Sequence, residues 1–286
     1  MRRNCRSKCL FGMMVLVLAT TLIANAQTPS PSPRASSLEK DFFKNILDDQ
    51  KAIWTAPLHI RRADSKWIVP GSIGLMALFT TDRITGDEMA ETDGPVGVSR
   101  AISHAGSVYA LGAAAGGFYF LGREKNNARA RETGLLSAEA LVDSLIAGAA
   151  LKGITQRARP MTGRERSEFF DGGNSFPSGH STQAWAVATI IANEYKDHRG
   201  VQLAAYGSAA AVSFARFAEH KHYLSDVLAG SAMGWGIGKY VYHKRHRELR
   251  DPADQDGPVS ENWWPAITPE VNRRLHQFGV ALTWSF

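Results

Sequence analysis

The chain of 286 residues reads as an all-α protein, a helical bundle of about six core helices that ends in a short β-type tail. Three observations predict this. Long Ala/Leu/Gly-rich stretches dominate, few alternating β-branched runs interrupt them, and Gly/Asp/Pro-rich connectors separate them. In order, the stretches cover about 38–52, 66–81, 101–121, 131–155, 179–195, 201–218 and 223–247, with connectors at 86–97 and 162–174. The tail is the exception. Val280, Leu282, Trp284 and Phe286 alternate with Ala281, Thr283 and Ser285, which is a strand pattern.

The chain opens on Arg2, Arg3, Arg6 and Lys8, then an apolar run from Leu10 to Ala24, and then Ala24-Asn25-Ala26. This is the pattern of a secretory signal peptide cleaved after Ala26, so an exported, periplasmic protein is expected. An uncleaved anchor is the alternative. The run is about 15 residues where a spanning helix needs roughly 20, which favours cleavage. Cys5 and Cys9 both lie inside this segment, so the mature chain would form no disulfide and would rest on its core alone. The formal charge of +6 shrinks too. Without the four cations of the leader, 29 basic side chains face 27 acidic ones, and the cationic footprint that nucleic-acid binding requires is missing. The expected organisation is a signal peptide at 1–26, a Pro/Ser-rich linker at 27–37, one helical domain at 38–250 and a C-terminal extension with a terminal strand at 251–286.

Only 101–122 is an uncharged stretch long enough to span a bilayer, and Glu139, Asp143, Glu194 and Lys196 interrupt the others. A soluble or membrane-associated domain is therefore expected. Asp82, Asp87, Glu88, Glu91 and Asp93 match no calcium-loop spacing and read as a solvated connector, with no metal assigned. Lys244, Arg245, Arg247 and Arg250 suit a helix C-terminus, with anionic lipid as the alternative partner.

The chemistry concentrates in three strings: Lys152…Arg159-Pro160, Pro177-Ser178-Gly179-His180 and Arg216…His222…Asp226. Lys152 and Arg159 are two helical turns apart and share a face if their helix continues to Pro160. Ser178 is a suitable N-cap whose following amides would form an anion cradle, with Gly179 allowing close approach and His180 at the edge. His222 and Asp226 are spaced for one helical face, so that the carboxylate would accept from Nδ1 and leave Nε2 free. Arg216 would close the other side. Cations and donors of this kind suit the oxygens of a phosphoryl group, and two imidazoles suit attack at phosphorus and protonation of the leaving oxygen.

The strings Lys152-x6-Arg159-Pro160, Pro177-Ser178-Gly179-His180 and Arg216-x5-His222-x3-Asp226 resemble the three motifs of the type 2 phosphatidic acid phosphatase and vanadium haloperoxidase superfamily. The resemblance implies that Lys152, Arg159, Ser178, Gly179 and Arg216 bind the phosphoryl oxygens. It also implies His222 as nucleophile, Asp226 as its orienting partner and His180 as general acid. One departure is Ala215, where the family usually has serine. The implied function is a metal-independent phosphatase without cofactor, acting through a phosphohistidine on a phosphorylated lipid, a diphosphate or a soluble ester. Two alternatives are a vanadate-dependent haloperoxidase and a non-catalytic outer-membrane-associated scaffold. The scaffold reading draws on the last strand, which resembles the C-terminal strand of bacterial outer-membrane barrels. Membrane-surface association fits the lipid reading, and oligomeric state is not legible.

Overall fold

A computed structural model describes residues 33–59, 65–91, 96–160, 167–248, 266–272 and 277–283. The expected signal peptide and the first part of the linker lie outside these, as do 161–166 of the second connector. Among the described residues the helices are α1 (Pro33–Thr55), α2 (Ser65–Glu91), α3 (Val96–Ala105), α4 (Val108–Glu124), α5 (Ala128–Thr155), α6 (Gly179–Glu194), α7 (Arg199–Ala218) and α8 (Leu224–Glu248), with a 3-10 turn at Ala56–His59. The mostly helical architecture matches the expectation; several boundaries do not.

The expected helix over 101–121 is two helices. The chain turns at Gly106-Ser107, where Ser107 caps α4 by accepting from the Ala110 amide at 3.3 Å. Glycine is required at the turn because a Cβ there would lie 2.2 Å from Cγ1 of Val212 on α7. The apparent spanning stretch is thus split into 10 and 17 residues. Among the described residues, the helix long and apolar enough to cross a membrane is instead α5, 56% of whose apolar window is buried in the bundle. Helix α1 starts at Pro33, inside the segment read as linker, and α2 continues to Glu91, through part of the segment read as a connector. Asp82, read as solvated, is consequently a buried helix residue. Helix α5 stops at Thr155, five residues before Pro160, because Gln156 takes a left-handed conformation (φ 44°, ψ 38°).

Helix α5 is the centre of the bundle and packs against α1, α4 and α6. Leu136, Ala140, Leu141 and Ala147 are buried along it, and α6 adds Ala186, Val187 and Ile190. Helix α8 approaches α6 at backbone distance. A Cβ on Gly234 would fall 2.0 Å from the Thr182 carbonyl oxygen, so any side chain there must push the helices apart. This contact sets α8 against the first turn of α6.

The C-terminal residues 247–286 form a separate compact unit. Its described residues make an antiparallel hairpin, β1 (Ala266–Asn272) with β2 (Gln277–Thr283), registered so that Ala266 faces Thr283 and Asn272 faces Gln277. The strand read from the sequence at 280–286 overlaps β2; 284–286 lie outside the described residues.

An ionic cluster ties α1 and α8 to α5. Asp49, Glu139 and Asp143 are buried with their carboxylate oxygens within 4.8 Å of one another. Arg245, 2% exposed, donates to Asp49 at 2.6 Å and to Glu139 at 2.7 Å, and Lys244 reaches Asp49 at 2.7 Å. These basic residues therefore serve a buried cluster rather than only a helix end or a lipid surface. Three acids against two cations leave one negative charge over. Burial pushes Glu139 up to about 8 and Asp143 up to about 7, so the cluster retains a proton near neutrality.

Two outcomes are expected. For these raised acids the folded state holds protons more tightly than the unfolded chain, so their contribution is fully present below pH ~4.5 and is lost as pH rises through 7 to 8. Because His180 and His222, both lowered to about 4, act in the opposite sense up to about pH 6.5, thermal melts should show stability falling between about pH 6.5 and 8, and Asp143→Asn should flatten that slope. Separately, Gly234→Ala should cost about 1–3 kcal/mol and lower the melting temperature by roughly 2–10 °C.

Candidate active site

The three strings converge where the C-terminus of α5, the N-terminus of α6 and the α7–α8 junction meet. Lys152 lies on the last turn of α5, its Cε 3.7 Å from where a Cβ of Gly179 would be. Arg159 is not on that helix, contrary to the spacing argument, because α5 has already ended. Asn174 gathers the two cations instead. Its carbonyl accepts from Lys152 Nζ at 2.7 Å and its side-chain oxygen from Arg159 Nε at 2.8 Å.

Ser178 occupies the N-cap position of α6 as expected, in extended conformation, but its hydroxyl makes no capping bond and accepts from Ser181 at 3.1 Å. With no side-chain cap, the leading amides of α6 remain available to an anion. Arg216, on the last turn of α7, donates to Glu219 at 3.1 Å, while its buried Nε has no partner. A donor left over on a buried guanidinium is a vacancy for an acceptor. The chain then reverses through His220, which is left-handed (φ 55°), and delivers His222 to the site.

His222 is 2% exposed and stands two residues before α8, so it does not share a helical face with Asp226. The expected hydrogen bond between them is absent: Nδ1 is 3.7 Å from Asp226 Oδ2. Nδ1 lies instead 2.8 Å from the Ser175 carbonyl oxygen. A carbonyl only accepts, so Nδ1 carries the proton and Nε2 keeps its lone pair. The tautomer is the one expected, held by a different group. Asp226 acts at one remove, since it accepts from the Ser175 hydroxyl at 2.5 Å, from the Tyr223 amide at 3.0 Å and from Arg157 Nη1 at 2.6 Å.

Ser175, Asn174 and Arg157 were not singled out from the sequence. Ser175 contributes through its backbone, which carries no residue-type signal, and Arg157 hides among the six unspecified positions between Lys152 and Arg159.

The electrostatics describe an anion site. Burial pushes Lys152 down to about 8, with Arg159 and Arg216 adding to the effect, and burial also lowers Arg159 and Arg216. His180 falls to about 4 through burial and then the charges of Arg216, His222, Lys152 and Arg159. His222 is likewise lowered to about 4, chiefly by burial. Burial alone would raise Asp226; His222, Arg157 and the Ser175 hydroxyl hold it below its usual value.

Three cations, the leading amides of α6 and an imidazole lone pair are thus gathered at one end of the helical bundle, an arrangement whose chemistry suits an anion. Residues 133–250, which carry all three strings, match the model of the PAP2 superfamily. The chain is 32% identical over 113 residues to the lipid A 1-phosphatase of Porphyromonas gingivalis, a match covering 39% of this chain. It spans a quarter of the length of that relative. A solved structure, the first transmembrane PAP2 type phosphatidylglycerolphosphate phosphatase from Bacillus subtilis, aligns over 77% of this chain and 98% of its own. The identity is 21% and the TM-score 0.44.

The His180 value makes a direct prediction. Bound phosphate would offset the surrounding cations, so the His180 titration, followed by proton NMR, should move upward from about 4 by at least roughly one unit when inorganic phosphate is added.

Proposed function

We propose that this protein is a phosphoric ester hydrolase that removes phosphate from a phosphorylated lipid through a phosphohistidine on His222. The observation that carries the reading is the His222 tautomer: Nδ1 is committed to the Ser175 carbonyl, and Nε2 is left as a nucleophile among Lys152, Arg159 and Arg216. The name of the lipid A 1-phosphatase relative supports a lipid ester. So do large apolar side chains exposed on the bundle, among them Phe43, Ile73, Leu203 and Phe214, which suit contact with a membrane surface.

In this reading Lys152, Arg159, Arg216 and the first amides of α6 hold three phosphoryl oxygens while His222 Nε2 attacks phosphorus in line. The P–O bond to the alcohol breaks as the P–N bond forms, and His180 gives its proton to the departing oxygen. His180 is poorly protonated in the empty site; the substrate's negative charge raises its affinity for that proton. Water then attacks phosphorus with His180 as base, and phosphate leaves with His222 restored.

His222→Ala should reduce phosphate release by at least about 10³-fold on vesicles carrying a lipid phosphate monoester. His180→Ala should slow alkyl esters by on the order of 10²–10⁴-fold and p-nitrophenyl phosphate much less, because that leaving group needs little protonation. Rapid alkaline quench with labelled substrate, which preserves the acid-labile P–N bond, should trap label on wild type and none on His222→Ala. Full activity of His222→Ala would refute the mechanism. Preference for soluble esters over lipid in the same panel would refute the substrate class.

A further inference from the structure

Arg157 is fully buried, and every polar end of its side chain is engaged. Nη1 donates to Asp226 at 2.6 Å and to the Ser225 hydroxyl at 2.7 Å, Nη2 to Asp82 on α2 at 2.8 Å, and Nε to the Ser167 carbonyl at 3.3 Å. Three rings enclose the guanidinium, Tyr223 at 4.5 Å, Phe169 at 4.9 Å and Phe79 at 5.0 Å. Its carbonyl also accepts from the Ser175 amide at 2.9 Å. The residue therefore grips Ser175 twice: directly through the backbone, and through Asp226, which accepts from the Ser175 hydroxyl. Ser175 is the residue whose carbonyl holds Nδ1 of His222.

We propose that Arg157, anchored by Asp82, is a positioning residue that fixes the orientation and tautomer of His222 and sets how much of the Asp226 charge the ring feels. The inference rests on His222 being the reactive group, as proposed above. Arg157 does not act on phosphate. Its guanidinium is spent on two carboxylates and a carbonyl, whereas the cradle is made by Lys152, Arg159 and Arg216. The buried knot of Asp82, Arg157 and Asp226 carries one negative charge in excess, and the ring 3.7 Å from Asp226 becomes positive when Nε2 bonds to phosphorus. Arg157 shields part of that excess, and Asp82 draws part of the shielding away from Asp226. Removing one or the other should thus shift His222 in opposite senses.

The other charged groups acting on His222 are Lys152, Arg159 and His180, and none changes in these variants. Arg157→Gln leaves two carboxylates unshielded, so the ring should hold a proton to higher pH. Asp82→Asn leaves Arg157 wholly to Asp226, so the ring should lose its proton at lower pH. Arg157→Lys keeps the charge but loses the fork.

The test is nitrogen-15 NMR of the His222 ring, which needs no turnover, alongside kcat and KM on the lipid phosphate monoester. Wild type should show a single Nδ1-protonated form at neutral pH, and Arg157→Gln and Arg157→Lys a mixture of tautomers. The titrations of Arg157→Gln and Asp82→Asn should move in opposite directions. kcat should fall by about 10–100-fold in each variant, with KM and the affinity for inorganic phosphate within about 3-fold of wild type. Shifts of the same sign, or an unchanged tautomer in a folded Arg157 variant, would overturn the inference. If Arg157→Gln does not fold, Arg157→Lys and Asp82→Asn decide it by tautomer and by the downward shift. A wild type that hydrolyses no phosphate ester would defeat the proposed function while leaving the NMR result to judge the positioning role.

Discussion

Asp226 is a carboxylate with no exposure to water, placed where three helix ends meet, and its need for donors organises the site around it. It takes a guanidinium from the segment after α5, a hydroxyl from the loop before α6 and an amide from the turn before α8. Its own carbonyl accepts from the Ser178 amide at 3.0 Å, which pins the N-cap of α6 to α8. Each donor belongs to a different stretch of chain, so satisfying one buried charge brings all three strings into register. Truncating any donor would leave the charge under-solvated, and such losses cost far more than an exposed ion pair contributes.

The bundle carries a second buried ionic knot, Asp49–Glu139–Arg245, about 13 residues before Lys152 on α5 and 19 after Asp226 on α8, which places it roughly 20–30 Å along the helices from the site. The two knots share a design: an arginine bridges two carboxylates contributed by different helices. Between them lie the alanine- and glycine-lined contacts of α5, α6 and α8, whose small side chains permit close approach but supply little directional preference. Ionic knots at both ends provide the register that such packing lacks.

The sequence disclosed the helices and the motif residues because both leave local traces: long apolar stretches, a proline, a glycine beside a histidine. It missed what depends on distant partners. Arg157 is a neighbour of Arg159 in sequence and its opposite in role, and only acids 69 and 75 residues away distinguish them. The His222 clamp is a carbonyl, a group every residue has. Spacing also misled where helices ended early: the i, i+4 arguments for His222 and Asp226 and the two-turn argument for Lys152 and Arg159 both assumed continuous helix, and Gln156 and the turn at His220 break it. In the sequence Asp82 reads as solvated because it falls in an acidic segment, whereas in the fold its side chain is buried on α2.

Charge balance at the cradle bears on what it takes. Lys152, Arg159 and Arg216 supply three positive charges, Glu219 removes one through Arg216, and the His222 and His180 rings are neutral when empty. Under the proposed function, these cations would face the dianion of a phosphate monoester. Asn174 holds Lys152 through its carbonyl and Arg159 through its side-chain oxygen, and a dianion would be a stronger acceptor than either of these two neutral oxygens. Arg216 already holds one anion, Glu219. Its Nε has no competitor, so a phosphoryl oxygen can enter there while Nη1 keeps Glu219. In the proposed mechanism, that carboxylate would limit the positive field of Arg216 on His180 and so favour the protonated ring a general acid needs.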